Sequence, residues 1–377
     1  MDFPLLPLEY LRETESIPAF WITDLADIAA WLACHVSRGE IREIGRSAGG
    51  RAIPMVTYGR PRQSGRTTTF SGSIGARKLA AAFGPEHGKR VYLAMGGVHA
   101  SEYEGIMGIV NLAAVLETGC DLRGKEWPEL AELGRQIDRI LLIPVVNVDG
   151  RARIPIRMFP HRGTDSTIYQ CWATGAWADG NNIGWPQCKE FIPLDFARTM
   201  CPGGYPNDAG VNLQHDDFLS PSRQPETEAL LRLCAEERPD LIVNLHTGAP
   251  GNNYFCRMHR PFIESALGPV FDRLHAAVHG GLAKAGLQST DDAALEGDPT
   301  KAPRGVYNLD TALNLHCGAL PALIESPCHG FSGKDRAGNE VYPHPDSLLD
   351  QQLVCHREAL RFLLETGGRC TWTPEGK

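Results

Sequence analysis

One segment joins an apolar run to side chains that can bind a metal: Val91-Tyr92-Leu93-Ala94-Met95-Gly96-Gly97-Val98-His99-Ala100-Ser101-Glu102. The first five residues form a short apolar run that is typical of a buried strand, and the glycine pair after them ends it. His99 and Glu102 lie three residues apart just beyond, so an imidazole and a carboxylate can approach one point from a single turn. The segment predicts a strand, a turn with two candidate metal ligands, and a helix beginning near Glu102.

Three more apolar runs predict strands, and polar side chains lie at the end of each. The runs are 140–146, 241–245 and 320–324, and the residues after them are Asn147-Val148-Asp149-Gly150, His246-Thr247-Gly248 and Glu325-Ser326. Residues 40–44 and 53–58 flank a glycine-rich turn, which predicts a hairpin at one sheet edge. Helical patterns cover 25–36, 102–116, 226–236, 263–285 and 347–364. This alternation predicts an α/β fold with a mixed, mostly parallel central sheet flanked by helices.

The strand ends indicate where a ligand would bind. In open α/β sheets, ligands lie beyond the carboxyl ends of the strands, so the four polar ends are candidates for one crevice. His246 is placed to join His99 and Glu102, and two histidines and one carboxylate with an open fourth position form a catalytic zinc site. An isolated H-x-x-E pair also arises by chance, and an isolated histidine is more often a core residue. The zinc hypothesis therefore depends on all the strand ends meeting.

Length and composition describe an ordinary globular chain. It has 377 residues, of which 42% are hydrophobic and 22% charged, so disordered and fibrous classes are disfavoured. We expect a single domain over residues 1–377, with a long irregular insertion at about 151–209 that is rich in glycine and proline. Loops of that length in a compact fold usually shape a site.

Net charge and the distribution of cysteines indicate which binding partners and which cellular compartment to expect. The net charge is −8 and no long basic run occurs, so we expect no nucleic-acid surface. No apolar window is long enough for a membrane span, and Met1-Asp2-Phe3-Pro4 does not resemble a signal peptide. The 11 cysteines are scattered along the chain, which fits reduced thiols better than a disulfide framework. The expectation is a cytoplasmic protein that does not contact membranes.

Seven short motifs follow one another along the chain. They are Gly45-Arg46-Ser47-Ala48-Gly49-Gly50-Arg51-Ala52-Ile53, Gly97-Val98-His99-Ala100-Ser101-Glu102, Pro144-Val145-Val146-Asn147-Val148-Asp149-Gly150, Gly210-Val211-Asn212-Leu213-Gln214-His215-Asp216-Asp217-Phe218, Pro225-Glu226-Thr227, Leu245-His246-Thr247 and Ile324-Glu325. In this order they resemble the zinc carboxypeptidase family, peptidase family M14. Val148 stands where the family usually has proline, and one extra residue precedes Phe218.

The resemblance implies a zinc hydrolase that acts on a peptide or small amide. His99, Glu102 and His246 would hold Zn²⁺, and Glu325 would be the general base. An arginine after the N-x-D-G motif would stabilise the oxyanion, with Arg162 favoured by its offset and Arg157 close behind. Tyr307 is similar to the family's mobile active-site tyrosine, although a rim or core position fits it equally well. Asn212, Gln214 and His215 fall in the family's substrate-binding motif.

One motif departs from the family at a position that binds substrate. Gln214-His215 stands where the family usually has Asn-Arg, and that arginine clamps the terminal carboxylate of the substrate. Neither glutamine nor neutral histidine can form the bidentate fork. Three explanations remain open: Arg223 or Arg304 supplies the fork, His215 binds a carboxylate when protonated, or the substrate has no terminal carboxylate.

Three functions are therefore compatible with the sequence. The first is a zinc-dependent, carboxypeptidase-like hydrolase, which the motif order favours. The second is a zinc amidohydrolase of the aspartoacylase or acylglutamate deacylase type, which Gln214-His215 favours. The third is a non-catalytic binding protein on the same fold, against which the retained ligand set and Glu325 argue.

Overall fold

The fold is described from a computed structural model that covers residues 5–61, 68–84, 87–185, 187–190, 193–248, 256–287, 307–335 and 337–372. Arg304 lies outside these residues. The strands are β1 Glu40–Arg46, β2 Ala52–Gly59, β3 Val91–Met95, β4 Arg139–Ile143, β5 Ala176–Trp177, β6 Thr199–Cys201, β7 Leu241–Thr247, β8 Arg257–His259, β9 Leu320–Ser326, β10 Gly333–Lys334 and β11 Glu340–Val341. The α-helices are α1 Leu25–His35, α2 Phe70–Gly75, α3 Tyr103–Thr118, α4 Pro128–Gln136, α5 Val148–Arg153, α6 Thr167–Ala173, α7 Gln187–Glu190, α8 Pro225–Glu237, α9 Gly268–Lys284, α10 Leu309–Cys317 and α11 Pro345–Thr366.

The described residues contain a central sheet of seven strands in the order β1-β2-β4-β3-β7-β9-β8. The middle four strands, β4, β3, β7 and β9, are parallel, whereas the β1–β2 hairpin and the β8 edge strand run antiparallel to their neighbours. Every residue of β3, β4 and β7 is buried, as expected for parallel strands covered on both faces. The predicted mixed, mostly parallel sheet is confirmed.

Two groups of helices flank the sheet. Helix α11 packs against α3, α4 and α9, and helix α10 packs against α2 and α8. Helix α3 is buried on all sides from Tyr103 to Glu117, because apolar residues surround its axis instead of forming one stripe. It also packs directly on β7. This contact brings the start of α3, beside Glu102, next to the strand that carries His246.

Several boundaries differ from the predicted ones. Strand β4 ends at Ile143, because Pro144 has no N–H to donate to a ladder. A 3-10 turn covers Ser265–Leu267, and the helix predicted from residue 263 begins at Gly268, with a proline in its first turn. The segment 151–209 contains α6, β5 and β6, and its Trp172 is completely buried.

Two further observations concern the membrane and the thiols. Within the described ranges, no helix combines the length and the apolar character needed to cross a bilayer. All 11 cysteines are described, and none of them forms a disulfide.

Candidate active site

The turn after β3 and the carboxyl end of β7 bring His99, Glu102 and His246 together. Nδ1 of His99 lies 3.0 Å from Oε1 of Glu102, and Nδ1 of His246 lies 2.9 Å from Oε2 of the same carboxylate. The two Nδ1 atoms are 3.2 Å apart. All three residues are buried. Four donor atoms from two adjacent parallel strands therefore converge on one point, as the strand ends predicted.

This arrangement fits a zinc ion. Zinc binds nitrogen and oxygen at about 2.0–2.2 Å, so two donors of one tetrahedral ion lie roughly 3.3 Å apart, close to the separations above. In the part of the chain that the structure describes, this is the single cluster of three His, Cys, Asp or Glu side chains able to hold a metal. Imidazole and carboxylate are ligand types that zinc accepts. His99, Glu102 and His246 are therefore the candidate zinc ligands.

Two of the three side chains in the cluster have the charge state that a cation needs. Burial would raise the pKa of Glu102, but the neighbouring His99 and His246 outweigh it and lower that pKa to about 2. Burial lowers the pKa of His99 by more than Glu102 raises it. Glu102 is thus ionised and His99 is neutral at pH 7, and these are the forms that bind metal ions. Burial would lower the pKa of His246, but Glu102 outweighs it and raises that pKa to about 9, so His246 must release a proton when a metal binds.

Three neighbours fix the orientation of His99 and Glu102. Oδ1 of Asn212 lies 3.1 Å from Nε2 of His99 and accepts a hydrogen bond from its N–H, which leaves Nδ1 with a lone pair toward the cluster. The Tyr205 hydroxyl donates to Oε1 of Glu102 at 2.8 Å, and the Tyr205 ring stacks on His99 with centroids 3.7 Å apart. The backbone N–H of Thr247 donates to Oε2 of Glu102. Such partners hold metal ligands in one rotamer and one tautomer.

The N-x-D-G motif after β4 is structural in this fold. The Asn147 side chain donates to the carbonyl oxygens of Gly204 and Tyr205, at 3.2 and 2.9 Å, and so holds the loop that carries Tyr205. The Asp149 carboxylate accepts hydrogen bonds from Ser47, Gly49 N–H and Arg51. It thereby ties the β1–β2 turn to the start of α5. The glycine-rich turn of the β1–β2 hairpin and the N-x-D-G motif, which are far apart in sequence, are therefore joined by hydrogen bonds.

Glu325 lies beside the cluster without a hydrogen-bonding partner among the described residues. It is aligned with His246 in the parallel pairing of β9 with β7, so both side chains are on the same face of the sheet. Its Oε2 atom is buried and accepts no hydrogen bond from a described residue. Burial, and then the charge of Glu102, raise the pKa of Glu325 to about 7. A carboxylate with such a pKa can accept and return a proton near neutral pH.

The chain from residue 28 to residue 263 matches the model of the zinc carboxypeptidase family, peptidase family M14. The chain belongs to this family. No curated protein matches it in sequence.

Solved structures of metallocarboxypeptidases share the fold. The metallo-carboxypeptidase from Burkholderia cenocepacia superposes with a TM-score of 0.56 at 15% identity, over 90% of this chain and 70% of that one. The putative carboxypeptidase from Burkholderia mallei gives 0.55 at 14%, over 90% and 68%. The metallo-carboxypeptidase from Pseudomonas aeruginosa, solved in complex with (2-guanidinoethylmercapto)succinic acid, gives 0.54 at 16%, over 90% and 69%. At these identities the likeness shows the fold alone.

The departure from the family motif at Gln214 has a structural explanation. Gln214 is buried, donates to Oδ2 of Asp310 at 2.7 Å and accepts from Nδ2 of Asn244. Asn244 in turn donates to Asp310. His215 is half-buried and packs edge-on against Trp185, with centroids 5.7 Å apart. Gln214 thus belongs to a closed polar network, and its predicted contact with substrate gains no support from these bonds.

The two arginines predicted to stabilise the oxyanion contact other groups. Arg157 is half-exposed and pairs with Glu13 and Asp27, at 3.4 and 3.5 Å. Arg162 pairs with Asp165 at 2.9 Å. Neither one contacts His99, Glu102, His246 or Glu325 among the described residues. Their assignment by offset from the N-x-D-G motif therefore remains a prediction without geometric support.

Two other residues of the substrate hypothesis lie near the Gln214 segment. Tyr307 is half-exposed, and its ring packs against Phe218 with centroids 5.7 Å apart. Arg223, a candidate for the carboxylate fork, donates to Glu228 at 2.6 Å and to the carbonyl of Phe218. Tyr307 is thus at the surface beside Phe218, and its role as the active-site tyrosine stays a prediction. Arg223 already has an acidic partner.

Sequence reasoning missed two residues of the site. Tyr205 lies 103 positions after Glu102 inside the irregular segment, and its pairing with Glu102 depends on a loop that no periodicity reveals. Arg257 lies on the three-residue strand β8, directly opposite Glu325. An edge strand this short has no alternating pattern that could have indicated it.

Proposed function

We propose that the protein is a zinc-dependent, carboxypeptidase-like hydrolase that cleaves a peptide or amide bond. The observation that carries the proposal is the convergence of His99 Nδ1, His246 Nδ1 and both Glu102 oxygens beside Glu325, whose Oε2 atom has no hydrogen-bonding partner among the described residues. When bound, Zn²⁺ acts as a Lewis acid toward the scissile carbonyl and the attacking water. The family membership supports the same reaction class.

The chain's own residues then supply the proton transfers. Glu325 accepts the proton of the attacking water and passes it to the leaving amine, so one carboxylate is base and then acid. Its raised pKa makes both steps feasible near pH 7. Tyr205 and Asn212 hold Glu102 and His99 in place, so the metal ligands need no rearrangement.

A second candidate is an amidohydrolase of the aspartoacylase or acylglutamate deacylase type. The observation that favours it is the closed Gln214–Asp310–Asn244 network at the position where the family binds the terminal carboxylate. A substrate without that carboxylate, such as an acylated side chain, would not need the missing arginine. The two candidates differ in substrate and share the catalytic residues.

We expect the zinc-loaded protein to hydrolyse amide bonds. The test is a panel of N-acylated dipeptides, N-acyl amino acids and side-chain amides, with release of the amine followed by mass spectrometry. Turnover should stop after removal of the metal by a chelator and return on addition of zinc. Cleavage of the dipeptides supports the first candidate, and cleavage restricted to N-acyl amino acids or side-chain amides supports the second. Binding of panel members without turnover by the zinc-loaded protein would contradict both and support a binding protein.

A further inference from the structure

Three polar side chains form one row across strands β7, β9 and β8. His246 is aligned with Glu325 in the parallel pair, and Glu325 is aligned with Arg257 in the antiparallel pair. Residues directly opposite each other in adjacent strands point to the same face of a sheet. Neighbouring strands lie about 4.8 Å apart, so the base of the Arg257 side chain is one strand spacing from that of Glu325. Arg257 is therefore on the face that carries the zinc ligand and the general base.

The guanidinium of Arg257 is not occupied by other described groups. No hydrogen bond or ion pair joins it to another described residue, Glu325 included, and the residue is half-buried. Its charge nevertheless acts on Glu325, whose pKa is raised by burial and by Glu102 and is lowered in part by His246 and Arg257. Arg260, three residues later, forms an ion pair with Asp272. The two neighbouring arginines thus differ in what they can bind.

Other arginines near the site already have partners. Arg51 pairs with Asp149 and Asp208, and Arg153 pairs with Asp208 and donates to backbone carbonyls. Arg151 is completely buried and donates to three backbone carbonyls. Arg223 is bonded to Glu228. Arg257 is therefore the candidate, among the described arginines named here, for contact with an anionic ligand beside Glu325.

We propose that Arg257 binds a carboxylate of the substrate next to the bond that is cleaved. It would replace the arginine that the family motif has and that this chain lacks at Gln214-His215. The proposal rests on the proposed function. A guanidinium binds a carboxylate through two parallel charge-assisted hydrogen bonds, which fixes its position as well as its charge. The carboxylate is either the free terminus of the leaving residue or an acidic side chain of that residue, because both have the same chemistry. The substrate would then be an amide whose leaving group is an anionic amino acid.

The test compares substrates that differ only in the leaving residue. One series has a neutral residue with a free terminus, the second has the same residue with a terminal carboxamide, and the third has glutamate with a terminal carboxamide. In Arg257→Gln, the ratio of kcat/KM for the carboxylate substrate to kcat/KM for the neutral carboxamide should fall at least about tenfold. If the ratio falls for the first series, Arg257 binds the terminal carboxylate. If it falls for the third series, Arg257 binds the carboxylate of the glutamate side chain. In Arg257→Lys this ratio should fall less. Arg260→Gln, one residue after the end of β8, is the matched control.

Binding of succinate by calorimetry provides a readout independent of turnover. The dissociation constant should rise at least about tenfold in Arg257→Gln and stay unchanged in Arg260→Gln. If the wild type cleaves no substrate but its succinate binding depends on Arg257, the proposed function fails and the Arg257 assignment stands. If the wild type cleaves the panel while Arg257→Gln keeps both the substrate ratio and the succinate affinity, the Arg257 assignment is overturned and the function stands. Thermal unfolding of both variants checks that the fold is retained.

Discussion

Replacement of Glu325 by glutamine is expected to lower kcat by about 10²–10⁴-fold, the usual contribution of a general acid–base group. Glutamine keeps the size of the side chain but cannot accept a proton from water. Oε2 of Glu325 makes no hydrogen bond to a described residue, so the loss should reflect chemistry and not a broken network. Stopped-time assays of amine release by the zinc-loaded variant measure the effect.

Zinc content separates this role from a role in metal binding. Glu325 lies outside the ligand cluster of His99, Glu102 and His246, so the variant should retain the wild-type amount of zinc. Glu365→Gln, at an exposed position near the end of α11, is the matched control and should keep wild-type kcat. A Glu325→Gln variant that holds zinc and retains more than a tenth of wild-type kcat would contradict the assignment.

Replacement of Gly105 by valine is expected to weaken zinc binding although no ligand changes. A Cβ atom at Gly105 would lie 2.6 Å from Cβ of Leu245 and 3.2 Å from its carbonyl oxygen. Leu245 directly precedes His246, and Gly105 is in the first turn of α3 after Glu102. Because Gly105 has no side chain, α3 approaches β7 closely enough to bring Glu102 to His246.

The added side chain must push α3 away from β7. Overpacking of this kind costs about 1–3 kcal/mol of unfolding free energy, and we expect zinc affinity to fall at least about tenfold. Denaturant unfolding measures the first effect, and a zinc titration with a competing chelator measures the second. Gly280→Val is the matched control, because a Cβ on that glycine of α9 meets nothing within 4 Å. Equal zinc affinity in Gly105→Val and Gly280→Val would contradict the close-approach argument.

The strand ends were predictable because they follow from general rules of α/β folds. Apolar runs located β3, β7 and β9, and the carboxyl ends of parallel strands meet at one edge, which brought His99, Glu102, His246 and Glu325 into one hypothesis. Spacing and order along the chain were therefore enough to predict the candidate metal ligands. Arg257 could not be predicted in this way, because β8 is an antiparallel edge strand. Its alignment with Glu325 is known only from the structure.

Residues whose position depends on loops could not be predicted. Tyr205 reaches Glu102 because Asn147 holds the backbone at 204–205, and the sequence gives no spacing for that contact. The oxyanion assignment relied on an offset from the N-x-D-G motif, and Arg157 and Arg162 instead pair with nearby acidic side chains. An offset is a weak guide in such a segment, because its short helices and turns have no fixed rise per residue.

His99, Glu102 and His246 form one zinc site in the proposed function, and the metal content per chain is the direct test of that site. The zinc content of the wild type, His246→Ala and His275→Ala is measured by elemental mass spectrometry after each protein is reconstituted with zinc and desalted. His275, on helix α9, is the control for the candidate ligand His246. We expect about one zinc per chain in the wild type and in His275→Ala, and less than about a tenth of that in His246→Ala. A wild type that takes up no zinc, or a His246→Ala variant that retains the full amount, would contradict the proposed zinc site.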